Sequence, residues 1–172
     1  MIDLDNINIE ETRAQVACML NELWHSRLPN LHWSNVVRSG NYVCYVFKYK
    51  QAIIGVAIWS SPVAANRMKD GRLLLELRRL ALSNVCPKNM ASFVLSKMIQ
   101  KIKIKFPNII KVISYQDKEA HVGTIYKASN WVGIEQTKIA KGKLVTDWSK
   151  SSRKRKKSTN IAPKIRWEYK IS

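Results

Sequence analysis

The sequence predicts a single α/β domain spanning residues 1–172, a central β-sheet flanked by helices. Three observations carry that prediction. The chain has 172 residues, enough to close one core and too few for two full domains. Hydrophobic residues make up 46% of it and six are tryptophan, which excludes wholesale disorder. Strand-like and helix-like segments also alternate along it, as they do where helices cover a sheet.

Residues 10–25 (EETRAQVACMLNELWH) set Ala14, Ala17, Leu20 and Trp24 at helical spacing, so an amphipathic helix is expected. Pro29 breaks it and biases Leu28 toward extended geometry. Residues 42–48 (YVCYVFK) and 52–60 (AIIGVAIWS) are rich in β-branched and aromatic side chains, and with Lys50 and Gln51 between them they read as a hairpin. Residues 73–82 (LLLELRRLAL) follow a turn-like Lys-Asp-Gly-Arg segment, and their length and place before another helix favour a strand. Residues 88–106 form the clearest helix. Val94, Leu95, Met98 and Ile102 share one side, Lys97, Lys101 and Lys105 recur at i+4 on another, and Pro107 stops it. Residues 109–115 (IIKVISY) read as a short apolar strand, 116–121 as a loop and about 122–129 as a second helix. Residues 131–140 and 164–171 read as closing strands. Between them SKSSRKRKKSTN is polar and basic, a loop or arm at about 149–162.

The formal net charge is +18, and it is unevenly placed. Residues 1–60 hold five basic and five acidic side chains, 61–135 hold thirteen and five, and 136–172 hold twelve and two, net +10. So directed an excess points to a polyanionic partner, with nucleic acid first; the bland reading is a solvated tail or a localisation patch. No run of about 18 uncharged apolar residues exists, so no membrane partner is expected. The acidic start, MIDLDNINIEE, is unlike a secretory signal. Cys18, Cys44 and Cys86 are odd in number and contain no C-x-x-C pair, which predicts neither a disulfide framework nor a zinc knot and makes the reducing cytoplasm the expected compartment.

The order helix, hairpin, strand, long helix, strand, short helix, strands resembles the Gcn5-related N-acetyltransferase (GNAT) fold, which implies a splayed, mixed sheet holding a donor beside the long helix. Residues 76–131 resemble something narrower. E-L-x-R-L at 76–80, P-x-N at 87–89, S-Y-x-D at 114–117 and H-x-G-T-I-Y-K-A-x-x-W at 121–131 are similar to the phage Mom family, GNAT-type proteins that modify adenine in DNA. His25-Ser26-Arg27-Leu28-Pro29 and PKIRWE at 163–168 resemble that family more loosely. The resemblance implies an anti-restriction transferase that places a glycinamide-like (methylcarbamoyl) group on the exocyclic amine of adenine, in the host cytoplasm if phage-encoded.

The residues allow roles to be assigned. Arg79, expected on the same side as Leu75, Leu77 and Ala81, would anchor an anionic or carbonyl group, or pair internally with Glu76 or Asp117. Asp117, just past a strand's carboxyl end, would be a general base, or a turn-forming cap. Ser114 and Tyr115 lie on opposite strand faces, so only one should face the site. Tyr126 would protonate a leaving group or bind the donor, or be a core tyrosine. His25 would be a base or a helix cap. The family resemblance alone implies iron, with His25 the first ligand candidate; His25, His32 and His121 show no ligand spacing, and the metal is left unassigned.

The stretch 83–91 (SNVCPKNMA) has no glycine, and Pro87 has no N–H to give. Orthodox acetyl-CoA use is therefore doubted and the donor is unknown. Lys88, Asn89 and Ser92 would still bind its phosphates, and an aminoacyl-type donor such as charged tRNA is an alternative. DNA would be contacted by Arg153, Lys154, Arg155, Lys156 and Lys157 and by Lys97, Lys101 and Lys105, and the extruded base held by Trp33, Trp59 or Trp131. The rival readings are a GNAT enzyme acylating a protein, tRNA or small amine, and a non-catalytic nucleic-acid-binding module. The oligomeric state is not legible.

Overall fold

The computed structural model describes residues 2–25, 30–62, 73–117, 122–135 and 164–171. After a 3-10 turn at Leu4–Asn6, the elements are β1 (Ile7–Thr12), α1 (Ala14–Trp24), α2 (Trp33–Val37), β2 (Tyr42–Tyr49) and β3 (Ala52–Ser60). They continue with β4 (Leu74–Leu82), α3 (Met90–Lys105), β5 (Lys111–Asp117), α4 (Thr124–Lys127), β6 (Val132–Glu135) and β7 (Lys164–Lys170). Among the described residues seven strands make one sheet in the order β1-β2-β3-β4-β5-β7-β6. Only β4 and β5 run parallel; every other pair is antiparallel. The mixed sheet flanked by helices is the predicted architecture.

Alternation along the strands builds two cores. On one face Tyr45, Phe47, Trp59, Leu75, Leu77 and Val112 pack against Val94, Leu95, Met98 and Ile102 of α3. On the other, Cys44, Val46, Val56, Ile58 and Ala81 pack against Ala14, Ala17 and Cys18 of α1 and Val36 of α2. Helix α3 ends before Pro107 as predicted, and the β2–β3 turn runs through Lys50 at φ 54.

Three local readings need correction. The helix predicted from residue 10 begins at Ala14, because Ile7 and Ile9 face the α3 core and make 7–12 an edge strand paired with β2. Helix α2 is additional; His32 Nδ1 accepts the Ser34 N–H at its start. Gln116 and Asp117, predicted in a loop, are the last residues of β5, because β7 pairs with that strand as far as Asp117↔Lys164.

The sheet splays at one seam. β4 and β5 are paired only from Leu74↔Lys111 to Leu77↔Ser114. Beyond that point β4 continues with β3 to Leu82 and β5 continues with β7. The opening therefore lies at the carboxyl ends of two adjacent parallel strands, where open α/β sheets bind ligands.

Candidate active site

A register shift decides what lines this opening. Leu80 of β4 faces Ala57 and Arg79 faces Ile58, but Leu77 faces Trp59, so Arg78 is the extra residue of a β-bulge. Simple alternation would put Arg79 with Leu75 and Leu77. The bulge instead turns it to the α1 face, where of its three predicted neighbours only Ala81 lies. Glu76 is on that face too, since it lies between Leu75 and Leu77. Arg78 joins it: Arg78 Nη1 donates to Ser60 Oγ at 3.1 Å, and its Nε lies 3.8 Å from Glu76 Oε1. Two consecutive arginines and a buried glutamate thus occupy one face beside the splay.

Arg79 is half-buried and donates through Nη1 to Arg78 O at 2.7 Å. Burial, then the adjacent Arg78 guanidinium, disfavour its charge, while Cys18 and Glu76 support it. The Cys18 thiol is itself pushed up by burial and drawn back by Arg79 and Arg78. Of the two predicted partners, Glu76 is present; its described ion pair is with Arg78. A guanidinium held in partly desolvated surroundings is suited to an anion or a developing oxyanion.

Ser114 lies on the opposite face. Its hydroxyl meets the Tyr126 hydroxyl at 2.8 Å inside the α3 core. Tyr126 stacks on Trp167, ring centroids 5.2 Å apart, and meets Trp131 edge-on at 5.5 Å. Burial raises the Tyr126 pKa and the Ser114 hydrogen bond lowers it. Trp167 in turn donates Nε1 to Gln116 Oε1 at 2.7 Å. Gly123 makes this packing feasible: at φ 74, a β-carbon there would lie 2.5 Å from Gln116 Oε1 and 2.7 Å from Trp167. The Gly-Thr-Ile-Tyr motif and Ser114 therefore build the aromatic floor under β5, and Tyr115 is the member of the Ser-Tyr pair on the α1 face.

Asp117 is the last residue of β5, at the mouth of the splay. His25 caps α1, its backbone N–H donating to Asn21 O at 2.8 Å. Trp59 and Trp131 are core residues, 0% and 4% exposed, unlike Trp33 at 39%; the first two are corrected as base holders. Trp59 spends its N–H on Met98 Sδ at 3.3 Å. Among the described residues no three His, Cys, Asp or Glu side chains gather as metal ligands.

A cavity of about 330 Å³ opens at the start of α3, lined by Leu82, Ser83, Cys86, Pro87, Asn89, Met90, Ala91 and Ser92 and by Thr124, Ile125 and Ala128. Of the residues expected to bind donor phosphates, Asn89 and Ser92 line this cavity, while Lys88 is exposed and is not among its lining residues. Asn89 takes φ 67, ψ 1. It supplies without glycine the left-handed turn a phosphate-cradling loop needs, asparagine being among the non-glycine residues that tolerate it best. Ser83, Asn89, Ser92 and Thr124 bring polar groups to the lining of this cavity.

Lys97 and Lys101 are exposed on α3, while Lys105 donates to Glu11 Oε2 at 2.7 Å. Residues 153–157 and His121 lie outside the described residues. No described helix is long and apolar enough to cross a membrane.

The fold is that of solved acetyltransferases. A GNAT family acetyltransferase from Elizabethkingia anophelis with acetyl-CoA bound is 15% identical, covers 96% of this chain and 99% of its own, and has a TM-score of 0.56. An N-acetyltransferase from Staphylococcus aureus Mu50 is 11% identical, with coverages of 97% and 99% and a TM-score of 0.62. Spermidine N-acetyltransferase from Vibrio cholerae, in complex with CoA and spermine, is 8% identical, with coverages of 97% and 96% and a TM-score of 0.61. These likenesses concern the fold alone. No curated protein matches. The family model described as the Mom protein family matches residues 13–169. The chain, a GNAT-fold protein, belongs to the Mom protein family.

Proposed function

We propose that the protein is an acyl-type transferase acting on the exocyclic N6 amine of adenine in DNA, adding a small glycinamide-like (methylcarbamoyl) group that shields the DNA from restriction. The observation that carries this reading is the splay between β4 and β5. It has the cavity at the start of α3 on one side and the Glu76–Arg78–Arg79 cluster on the other, in a chain of the Mom family.

Donor and acceptor then enter from opposite faces of the sheet. Asn89, Ser92 and the first turn of α3 hold the phosphates of the carrier, with Leu82, Ile125 and Ala128 along its arm. When bound, the carrier supplies an acyl carbon activated for attack. The adenine amine attacks that carbon, the bond to the carrier breaks, the carrier leaves with the electron pair, and N6 becomes an amide nitrogen; a glycyl donor leaves –C(=O)CH2NH2 there, the equal-mass isomer of the glycinamide-like –CH2C(=O)NH2 group. Arg79 stabilises the charge developing on the acyl oxygen, and Asp117 takes the amine proton. A coenzyme A thioester and an aminoacyl ester of tRNA both satisfy this scheme. A solved relative carries acetyl-CoA, and the left-handed Asn89 answers the missing glycine, so acyl-CoA stands beside the aminoacyl donor.

The test is expression with a plasmid, nuclease digestion and mass spectrometry of the nucleosides. An added mass on deoxyadenosine is expected. Unmodified deoxyadenosine from cells containing folded protein overturns the reading and leaves an N-acyltransferase of another amine.

A further inference from the structure

The sheet register fixes where the helices of the α1 face begin and end. Thr12 closes β1 opposite Cys44, Cys44 stands opposite Ile58, and Ile58 opposite Arg79, so these four residues form one row. β1 is antiparallel to β4 through the two strands between them, and it reaches this row heading for the amino end of β4. Helix α1 starts two residues later, yet its buried face covers Val46, Val56 and Ala81, a row two residues nearer the carboxyl end of β4. The helix therefore turns back and runs toward the end at which β4 and β5 part. Its 11 residues extend about 16 Å. That exceeds the roughly 10 Å that β4 covers from Arg79 to Leu82, so the last turn of α1 lies at the open end.

The chain comes back beside that turn. Asn30 Nδ2 donates to Glu22 Oε1 at 2.6 Å, and shortly afterwards Trp33 opens α2, which leads to Tyr42 at the closed end of the sheet. Val36 is buried with Cys44 and Ile58, in the row of Arg79. Trp33 precedes it by about one turn, roughly 5 Å toward the open end. Its ring is exposed, whereas Trp59, Trp131 and Trp167 are core residues and Trp24 is half-buried. The exposed His32 ring lies with its centroid 5.5 Å from that of Trp33 and its plane tilted by 31°. His32 Nδ1 accepts the Ser34 N–H, so the neutral ring carries its proton on Nε2. Two flat rings, one of them oriented by the backbone, thus stand at the surface near the row that holds Arg79.

We propose that Trp33, braced by His32, is the platform on which the acceptor adenine stacks once it is out of the duplex. The proposal rests on the reading that the acceptor is DNA adenine, and it names positioning residues on a helix that the family motifs do not reach. A base cannot be modified at its amine while paired, and once extruded it needs a plane to be held against. An indole offers a large flat apolar surface, and covering it removes that surface from water. Stacking accepts any base, so Trp33 holds the nucleotide without reading sequence. The Nε2 proton of His32 is a donor for a phosphate or ring nitrogen of the same nucleotide. Residues 1–60 hold five basic and five acidic side chains, so contact here depends on the plane rather than on attraction of phosphates.

The test is fluorescence anisotropy at low salt with two labelled 12-nucleotide single strands of equal charge, one all deoxyadenosine and one abasic. The natural protein is expected to prefer the adenine strand about 10-fold or more, the scale of one stacked base. Trp33→Phe keeps that preference within about 3-fold, and Trp33→Leu reduces it to about 1. Both strands are measured on one preparation, so a smaller folded fraction in a variant lowers both affinities and leaves their ratio unchanged. Equal affinity of the natural protein for both strands, or an undiminished preference in Trp33→Leu, overturns the proposal. So does a Trp33→Leu variant that changes only its sedimentation coefficient, which assigns the indole to a contact between copies of the chain. Nucleoside mass spectrometry of the natural protein decides adenine modification separately. Modified deoxyadenosine without a base preference sinks the platform and leaves the enzyme reading standing.

Discussion

Ser114 and Tyr126 can be separated from the chemistry by a double-mutant cycle. Their hydroxyls meet at 2.8 Å in a buried setting, and the Tyr126 ring is already fixed between Trp167 and Trp131. Ser114→Ala leaves the tyrosine hydroxyl buried and unsatisfied, which costs about 2 kcal/mol within a range of about 1–3. Tyr126→Phe keeps the ring and leaves the smaller serine hydroxyl alone, costing about 1 kcal/mol. The double variant leaves neither group behind, so its loss should be about 1 kcal/mol, well short of the sum of the singles. In a domain of this size about 1 kcal/mol moves the melting temperature by about 2–4 °C; Ser114→Ala should melt about 4–8 °C lower. Urea and thermal melts followed by tryptophan fluorescence give the energies, and nucleoside mass spectrometry gives the activity. Activity should track stability, with the double variant more active than Ser114→Ala. If stability is unchanged while all three variants lose modification, the hydroxyls serve the reaction and the structural reading is refuted.

Asn89→Ala should destabilise by about 1 kcal/mol because alanine resists φ 67, whereas Asn89→Gly should be neutral or slightly stabilising; equal melts for the two would remove the strained turn. Alkaline stability should fall steeply. Burial and the nearby Cys18 push the Cys44 thiol up to about 12, and burial raises Tyr45 and Tyr126. Folded pKa values above the unfolded ones make this stability fully present below about pH 8.5 and lost as pH rises towards 12. Each proton contributes a slope of about 1.4 kcal/mol per pH unit, and Cys44→Ala should remove one such slope between pH 9 and 11. An unchanged slope would show that the thiol titrates normally. Lys97→Gln and Lys101→Gln should each reduce the salt dependence of DNA affinity by about 0.9 in log–log slope. Lys105→Gln should change it less, since that ammonium is held by Glu11; equal effects would make the three lysines equivalent.

What the sequence disclosed follows the physics of each segment. The β2–β3 hairpin and α3 were legible because both cores draw on long, regular apolar periods there. Residues 7–12 were not, because an edge strand buries one face only and Glu10 and Glu11 blend into the helix that starts two residues later. Helix α2 is too short to show a period. The placement of Arg79 was lost to the bulge: nothing in Leu-Arg-Arg-Leu marks an extra residue, and one residue inverts every face downstream of it. The Gly-Thr-Ile-Tyr motif was visible, but its reason lies in Gln116 and in Trp167 from a distant strand. Tyr115 was seen only as one of two choices, and the hydrogen bond made by Ser114 decides between them. Asp117 was singled out by its place near a strand end, and the fold makes it the last residue of β5.

Strand β7 enters the sheet between β5 and β6, although it follows both along the chain. The two strands it separates must therefore wait, each with an open edge, until residues some fifty positions after Ser114 arrive. Such long-range closure is slow and leaves exposed edges while it is pending. Trp167 arrives with that last strand, and it is the ring on which Tyr126 stacks and to which Gln116 bonds. During synthesis the half of the molecule built on α1, β1–β4 and α3 can condense first, while the floor beneath β5 exists only after β7 is inserted. On this topology β7 completes the sheet, and a chain interrupted before residue 164 would have α3 but neither the edge pairing of β5 nor the Trp167 floor.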